Sequence, residues 1–360
     1  MRREPLAILY VGSREGTSAQ RARTLSDLGH EVVHLASSIP PNASWRYQVQ
    51  RIARRLHGRD GVRPYYDIDC ANRAIRRTFR RRKFDVLWVD KALTIAPPTL
   101  AVARQRCPEV VILSFSLDDL MNLQNQTRRY LSCIPRYDLH VTNKSYNVDE
   151  LSALGARRVL FIDNSFDPKT HRRLELSAEE RGQFAAGIGF VGFWEQDRAD
   201  MILRLCREGM EVTVHGLEWG PLRGAHPNLH IGKEFLDGLE YARAINATDI
   251  NLGFLRKVNR DLQTTRSIEI PASGGFMLAE RTDEHRRLFE EGREAEYFDS
   301  FAELLEKCRH YLAHPEERRR VAEAGYRRCQ EGRYDYAGRL EQVLDEIARI
   351  CAEGTGARRE

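Results

Sequence analysis

The sequence predicts an α/β protein built as two Rossmann-like halves in succession. Short apolar runs of strand length alternate with helix-patterned stretches from residue 6 to residue 162. Periodicity is then lost over residues 163–181, where Asn164, Asp167, Pro168 and Lys169 gather, and a new strand, glycine, helix series starts at Ile188. A chain of 360 residues is long enough for two hydrophobic cores.

The first half opens with a strand over residues 6–11, a loop from Gly12 to Thr17, a helix over 18–28 and a second strand over 31–35, which together make one βαβ unit. From Trp45 the apolar positions Trp45, Val49, Ile52 and Leu56 mark one face of an amphipathic helix whose other face carries Arg46, Arg51, Arg54 and Arg55. A strand over 84–89 ends in Asp90 and Lys91, and Pro97 and Pro98 suit the first turn of the next helix. The strand over 110–113 runs into Ser114, Ser116, Asp118, Asp119 and Asn122, and polar groups at the carboxyl end of a parallel strand are where such sheets place ligands. Asp118 and Asp119 are candidates to bind acceptor hydroxyls or to serve as a base, with helix capping as the competing role. Residues 139–142, 147–154 and 159–162 complete the half as strand, helix and strand.

In the second half a strand over 188–194 contains Gly192, followed by a helix over 195–207, a strand over 212–215, a glycine-punctuated loop over 216–232 containing Trp219, and a helix over 235–246. The run 250–254 has the length of a buried strand. Thr264 and Thr265 stand before Arg266, Ser267, Ile268 and Glu269 as a capped helix start, and Gly274-Gly275 stops that helix before a strand over 276–278. Three helices follow over 301–312, 316–331 and 336–351. In the last, Tyr336, Leu340, Val343, Leu344, Ile347 and Cys351 share one face. Boundaries follow at 1–165, a linker at 166–181, 182–335, the last helix at 336–352 and a disordered tail at 353–360.

Composition narrows the function. The excess of charge is only +5, with 57 basic residues of which seven are lysine, so small anionic ligands or a membrane surface fit better than nucleic acid. Seven scattered cysteines without a Cys-x-x-Cys spacing suggest neither a disulfide framework nor zinc, and point to a reducing cytoplasm. No apolar run approaches a membrane span, and the residues before and after 6–11 lack the pattern of a signal peptide. Arg266 and Glu269, one turn apart beside strand ends, suit a phosphorylated ligand whose sugar hydroxyls a carboxylate can accept. A Gly-Gly pair between helix and strand is equally an ordinary turn.

The run Arg266-Ser267-Ile268-Glu269 with Gly274-Gly275-Phe276, then Glu280, His285, Gly292, Glu296-Tyr297-Phe298-Asp299, Pro315-Glu316 and Ala324-Gly325-Tyr326, closely resembles the C-terminal domain of the bacterial CgeB-like (spore maturation protein) glycosyltransferases, most strongly over residues 250–340. The resemblance implies a GT-B fold, two Rossmann-like domains facing each other across a cleft, with the acceptor in the N-terminal domain, a nucleotide-sugar donor in the C-terminal one, and the last helix crossing back. It implies transfer of a sugar from a donor of unknown base to an acceptor that is a small molecule, a glycan or a lipid-linked species, with retention the favoured course and neither metal nor resident cofactor. Glu269 matches the second position of that fold's Glu-x7-Glu motif, and Asp261 stands at the first. Arg266 would meet the donor diphosphate, aided by Arg256 or Lys257, with Gly12, Gly192, Trp219, Gly274 and Gly275 lining the donor side. A nucleotide-sugar epimerase, or a non-catalytic binding protein on the same scaffold, are the alternatives.

Charge reversal at Arg46, Arg51, Arg54 and Arg55 is expected to weaken binding to anionic liposomes or to acceptor, and to flatten its salt dependence. Unchanged behaviour in both assays would make this an ordinary solvated helix face.

Overall fold

A computed structural model describes residues 4–37, 67, 69–91, 93–236 and 238–356. The basic helix expected from Trp45, with Arg46, Arg51, Arg54 and Arg55, lies outside the described residues. The chain divides into two units, one of residues 1–163 with 336–360 and one of residues 164–335.

In the first unit β1 (Ala7–Gly12), α1 (Gly16–Asp27), β2 (Glu31–Ala36), α2 (Ala71–Phe79), β3 (Val86–Asp90), α3 (Pro97–Arg106), β4 (Val111–Ser116), α4 (Arg128–Cys133), β5 (Leu139–Thr142), α5 (Asn147–Ala153) and β6 (Val159–Phe161) alternate. The strands form one parallel sheet in the order β2-β1-β3-β4-β5-β6. Alternation of side chains along a strand feeds two cores. Leu9, Val11, Leu87, Val89 and Ile112 face α2 to α4. Ile8, Tyr10, Val86, Trp88, Leu113 and Phe115 face α1 and the last helix. Asp67 caps α2, its carboxylate accepting from the backbone of Ala71 and Asn72 at 2.7 and 3.0 Å.

The second unit runs α6 (Ala178–Phe184), β7 (Ala186–Val191), α7 (Gln196–Arg207), β8 (Val212–His215), β9 (Leu229–Ile231), α8 (Gly238–Ala247), β10 (Thr248–Gly253), α9 (Arg266–Ala272), β11 (Met277–Glu280), α10 (Asp283–Leu288), β12 (Glu296–Phe298), α11 (Phe301–Ala313) and α12 (Pro315–Glu331). Its parallel sheet has the order β12-β11-β10-β7-β8-β9. The chain therefore winds outward from β7 through β8 to β9 and returns to the other side at β10, so the topological switch point lies between β7 and β10.

The structure corrects four expectations. The stretch read as a linker at 166–181 folds within the second unit: Phe166 bridges Asp335, and Ser177 and Glu180 form a capping box for α6. The expected threonine cap of α9 is absent, because Thr265 is already helical; the Ser267 hydroxyl instead accepts the Thr264 N–H at 3.0 Å. The three-residue strand β9 stands where loop was expected, and β12 where no element was assigned. The tail expected to be disordered from 353 continues as the helix α13 (Tyr336–Gly356), and residues 357–360 lie outside the described residues.

α13 belongs to the first unit, where it buries Tyr336, Leu340, Val343, Leu344 and Ile347, while Cys351 is exposed rather than on the packed face. Five such side chains are worth about 1.5–3 kcal/mol each before chain entropy is counted. Truncation before Tyr336 is expected to destabilise the first unit by several kcal/mol or abolish its cooperative transition, read by calorimetry. An unchanged melting temperature would contradict this packing.

Candidate functional site

The carboxyl ends of β7 and β10 meet at the switch point of the second unit, and the first turn of the helix that follows each, α7 and α9, sends an arginine toward the Phe190 ring. The guanidinium carbons of Arg198 and Arg266 each lie 5.6 Å from the Phe190 centroid. Arg198 is 2% exposed. Its Nη1 donates to Phe193 O at 3.0 Å, and its Nη2 stands 3.6 Å from Glu195 Oε2. Neither Nε nor Nη2 of Arg198 makes a hydrogen bond among the described residues, and neither does the buried Nε of Arg266. Burial, with the like charge of Arg266 after it, pulls the Arg198 pKa down to about 10. Two guanidiniums held close, with buried N–H groups unmet, form a cradle for a dianion.

Two glycines make room for it. A side chain on Gly192 would strike Phe190 at 2.6 Å and meet Arg266 Nη1 at 3.4 Å. Gly216, at φ +145°, lets the β8 loop approach so closely that a Cβ would stand 1.9 Å from Gly192 O. Trp219 packs in the core: it is fully buried and donates its indole N–H to Gly192 O at 2.9 Å, which supports the Gly192 loop.

Other expected residues take different places. Arg256 pairs with Glu195 at 2.7 Å and Lys257 with Asp197 at 3.5 Å, both at the surface. Asp261 is buried and accepts from Asn259 Nδ2 at 2.7 Å. Gly274, at φ +80°, and Gly275 close the far end of α9, at the amino end of β11. A Cβ on Gly275 would strike Ile245 at 2.6 Å, so this pair is a packed turn on the edge of the sheet away from the strand ends, a correction to its expected ligand role. Beside Arg198 a pocket of about 270 Å³ opens at the carboxyl ends of β10 to β12, with Lys257, Glu280 and Arg204 in its wall. Burial raises the Glu280 pKa although Leu255 N–H donates to it at 2.9 Å.

Glu269 lies one turn along α9 from Arg266, is 7% exposed, and has His171 Nε2 at 3.6 Å. The helix start is fixed by a polar relay. His285 Nδ1 donates to Glu280 O at 2.7 Å, the Ser267 hydroxyl donates to His285 Nε2 at 2.7 Å, and the same hydroxyl accepts Thr264 N–H. This pattern keeps His285 neutral, and its burial lowers its pKa to about 4.

In the first unit Tyr10 O–H donates to Asp90 Oδ2 at 2.6 Å and Arg21 pairs with the same oxygen at 2.5 Å, packed so tightly under Gly12 that a Cβ there would stand 2.4 Å from Ser18 Oγ. Asp118 pairs with Lys91 at 2.6 Å. Asp119 is wholly buried and accepts from Met121 N and Asn147 Nδ2, each at 3.0 Å. It anchors its loop, which corrects the expectation that both carboxylates are open to a ligand.

Sequence reasoning missed Arg198 and His171. For Arg198 there was a signal: a cation in the first turn of a helix runs against the dipole, and such a placement asks for an anion.

Residues 198–345 match a protein family described as glycosyl transferase-like. No curated protein sequence matches the chain. Among solved structures, sucrose-phosphate synthase from Thermosynechococcus elongatus superposes with a TM-score of 0.64 at 11% identity over 98% of this chain and 100% of that one. HepE from Anabaena, in complex with UDP and glucose, gives 0.65 at 12% over 96% and 100%. The α,α-trehalose 6-phosphate synthase from Burkholderia multivorans gives 0.65 at 10% over 97% and 100%. These likenesses establish the GT-B fold of the chain.

The His285 relay has an acid limit. An unfolded histidine takes up a proton near pH 6.5 whereas folded His285 does not until about pH 4, so stability it contributes is present above 6.5 and lost as pH falls toward 4. The slope approaches about 1.4 kcal/mol per pH unit. Urea titrations at pH 7 and 5 are expected to show a smaller loss in His285→Gln than in the parent; equal losses would remove the histidine from the acid response.

Proposed function

We propose that this chain transfers a sugar from a nucleoside-diphosphate sugar to an acceptor, with the donor held by the second unit. The observation that carries this reading is the pair at the switch point, buried Arg198 with Nε and Nη2 unmet and half-buried Arg266 with its Nε unmet. A diphosphate supplies the missing charge. As the bond from the anomeric carbon to the β-phosphate oxygen breaks, the electron pair stays on the departing nucleoside diphosphate, so the charge facing Arg266 grows in the transition state. The acceptor hydroxyl oxygen forms the new bond to the anomeric carbon and gives up its proton.

Glu269 accepts hydrogen bonds from the ribose hydroxyls. In this reading the guanidiniums supply the charge that a divalent cation supplies elsewhere, and the reaction proceeds with retention, the course favoured by the match of Glu269 to the second position of the Glu-x7-Glu motif. The glycosyl transferase-like match over 198–345 supports the reaction class, and the UDP named with HepE makes UDP the first nucleotide to test. The acceptor is a small molecule, a glycan or a lipid-linked species, met in the cytoplasm, the compartment that seven free thiols favour.

Arg266→Ala is expected to lower kcat as well as affinity, a loss of about 2–4 kcal/mol in transition-state stabilisation. Glu269→Gln is expected to act mainly on nucleotide affinity, because the amide oxygen still accepts but without charge. Both are read by calorimetry and by nucleoside diphosphate release, which a transferase shows only with acceptor; isomerised donor without acceptor would mark an epimerase, and neither event a binding protein. Two folded variants that bind nucleotide like the parent would place the donor elsewhere.

A further inference from the structure

Glu269 is held from a segment outside the matched family region. Its neighbour His171 stands on the irregular stretch before α6, 7% exposed, and the Asp167 backbone N–H donates to His171 Nδ1 at 3.1 Å. A ring nitrogen that accepts a backbone N–H carries no proton, so in the neutral ring the proton sits on Nε2, which is the nitrogen facing Glu269 Oε1 at 3.6 Å. Asp167 reinforces the turn, its carboxylate accepting Lys169 N–H at 3.1 Å and its backbone carbonyl accepting His171 N–H at 2.7 Å. Tyr241, from α8, sets its ring against His171 edge to face, centroids 5.3 Å apart at 81°. The Tyr241 hydroxyl is buried, and burial together with the charge of Glu269 raises its pKa, so it is a second proton-bearing group next to the same carboxylate.

We infer that His171, backed by Tyr241, is a positioning residue that fixes one oxygen of Glu269 and leaves the other free to accept the ribose 2′- and 3′-hydroxyls of a nucleotide. The inference rests on the reading of Glu269 as the ribose acceptor. The choice of residue type matters. No lysine or arginine forms an ion pair with Glu269 among the described residues. A cation there would neutralise the carboxylate and weaken it as an acceptor, whereas a neutral N–H restrains the side chain and leaves its charge for the ligand. Restraint also removes rotamer freedom before the ligand arrives, which lowers the entropy lost on binding.

The test uses the full chain, titrated calorimetrically with UDP, ADP and GDP and then with the 2′-deoxy form of whichever binds most tightly. His171→Asn keeps an acceptor for the Asp167 N–H but cannot reach Glu269, whereas His171→Gln places an amide N–H close to the position of Nε2. The expected result for His171→Asn is a roughly threefold loss of affinity, below that of a full hydrogen bond because Nε2 and Oε1 stand 3.6 Å apart, with part of the preference for the ribonucleotide gone. His171→Gln recovers both, and His171→Asn/Glu269→Gln is no weaker than Glu269→Gln alone, because the histidine acts only through the carboxylate. If Glu269→Gln weakens binding while a folded His171→Asn binds like the parent, the positioning role is overturned and the ribose reading stands. If the two losses add, His171 contacts the ligand itself or acts elsewhere, which also overturns it. If Glu269→Gln changes nothing, or no nucleotide binds the parent, the underlying reading fails and this inference with it.

Discussion

Everything at the switch point of the second unit depends on keeping two like charges beside one phenylalanine. Arg198 and Arg266 would repel each other in any setting, and burial makes the repulsion worse because water no longer screens it. The protein offsets this only in part, through the Phe193 carbonyl and the edge of Glu195 on Arg198. The ring of Phe190 lies beside both cations, and the glycines at 192 and 216 keep side chains out of the space that remains. An arrangement that leaves cationic N–H groups unmet is costly in the free protein, and that cost is returned when an anion arrives.

Around that pair the surrounding shell is neutral and rigid. Trp219 holds the Gly192 carbonyl, the His285 relay holds the first turn of α9, and His171 faces Glu269. None of these groups brings a further positive charge to the cradle. The acidic residues nearby have other partners too: Glu195 is shared between Arg198 and Arg256, while Asp197 pairs with Lys257 and Asp261 accepts from Asn259. Local pairing of this kind keeps carboxylates from collapsing onto the guanidiniums in the absence of ligand.

Much of the architecture was legible in the chain because parallel strands buried on both faces read as continuous apolar runs, as in Val86–Asp90 and Val111–Ser116, and because α13 shows its stripe without help from context. The three-residue strands Leu229–Ile231 and Glu296–Phe298 were not legible: each carries a polar residue and becomes a strand only by pairing with β8 or β11. The stretch before α6 looked like a linker for the same reason that it works as a support. It is a turn held by the Asp167 carboxylate, which accepts from the Lys169 backbone and the Thr170 hydroxyl, and not by a periodic ladder. Arg266 and Glu269 were found through resemblance and spacing; Arg198 and His171 were not, since one reads as an ordinary helix residue and the other becomes meaningful only through a contact made across nearly a hundred positions of chain.

The order in which the chain leaves the ribosome gives the last helix another significance. The first unit's sheet is synthesised early, yet the face formed by Ile8, Tyr10, Val86 and Trp88 waits for Tyr336, Leu340 and Val343, which emerge only after the whole second unit. During translation the nascent first unit therefore displays an apolar face while its neighbour is already able to fold, and that interval is when a chaperone would be most useful and aggregation most damaging.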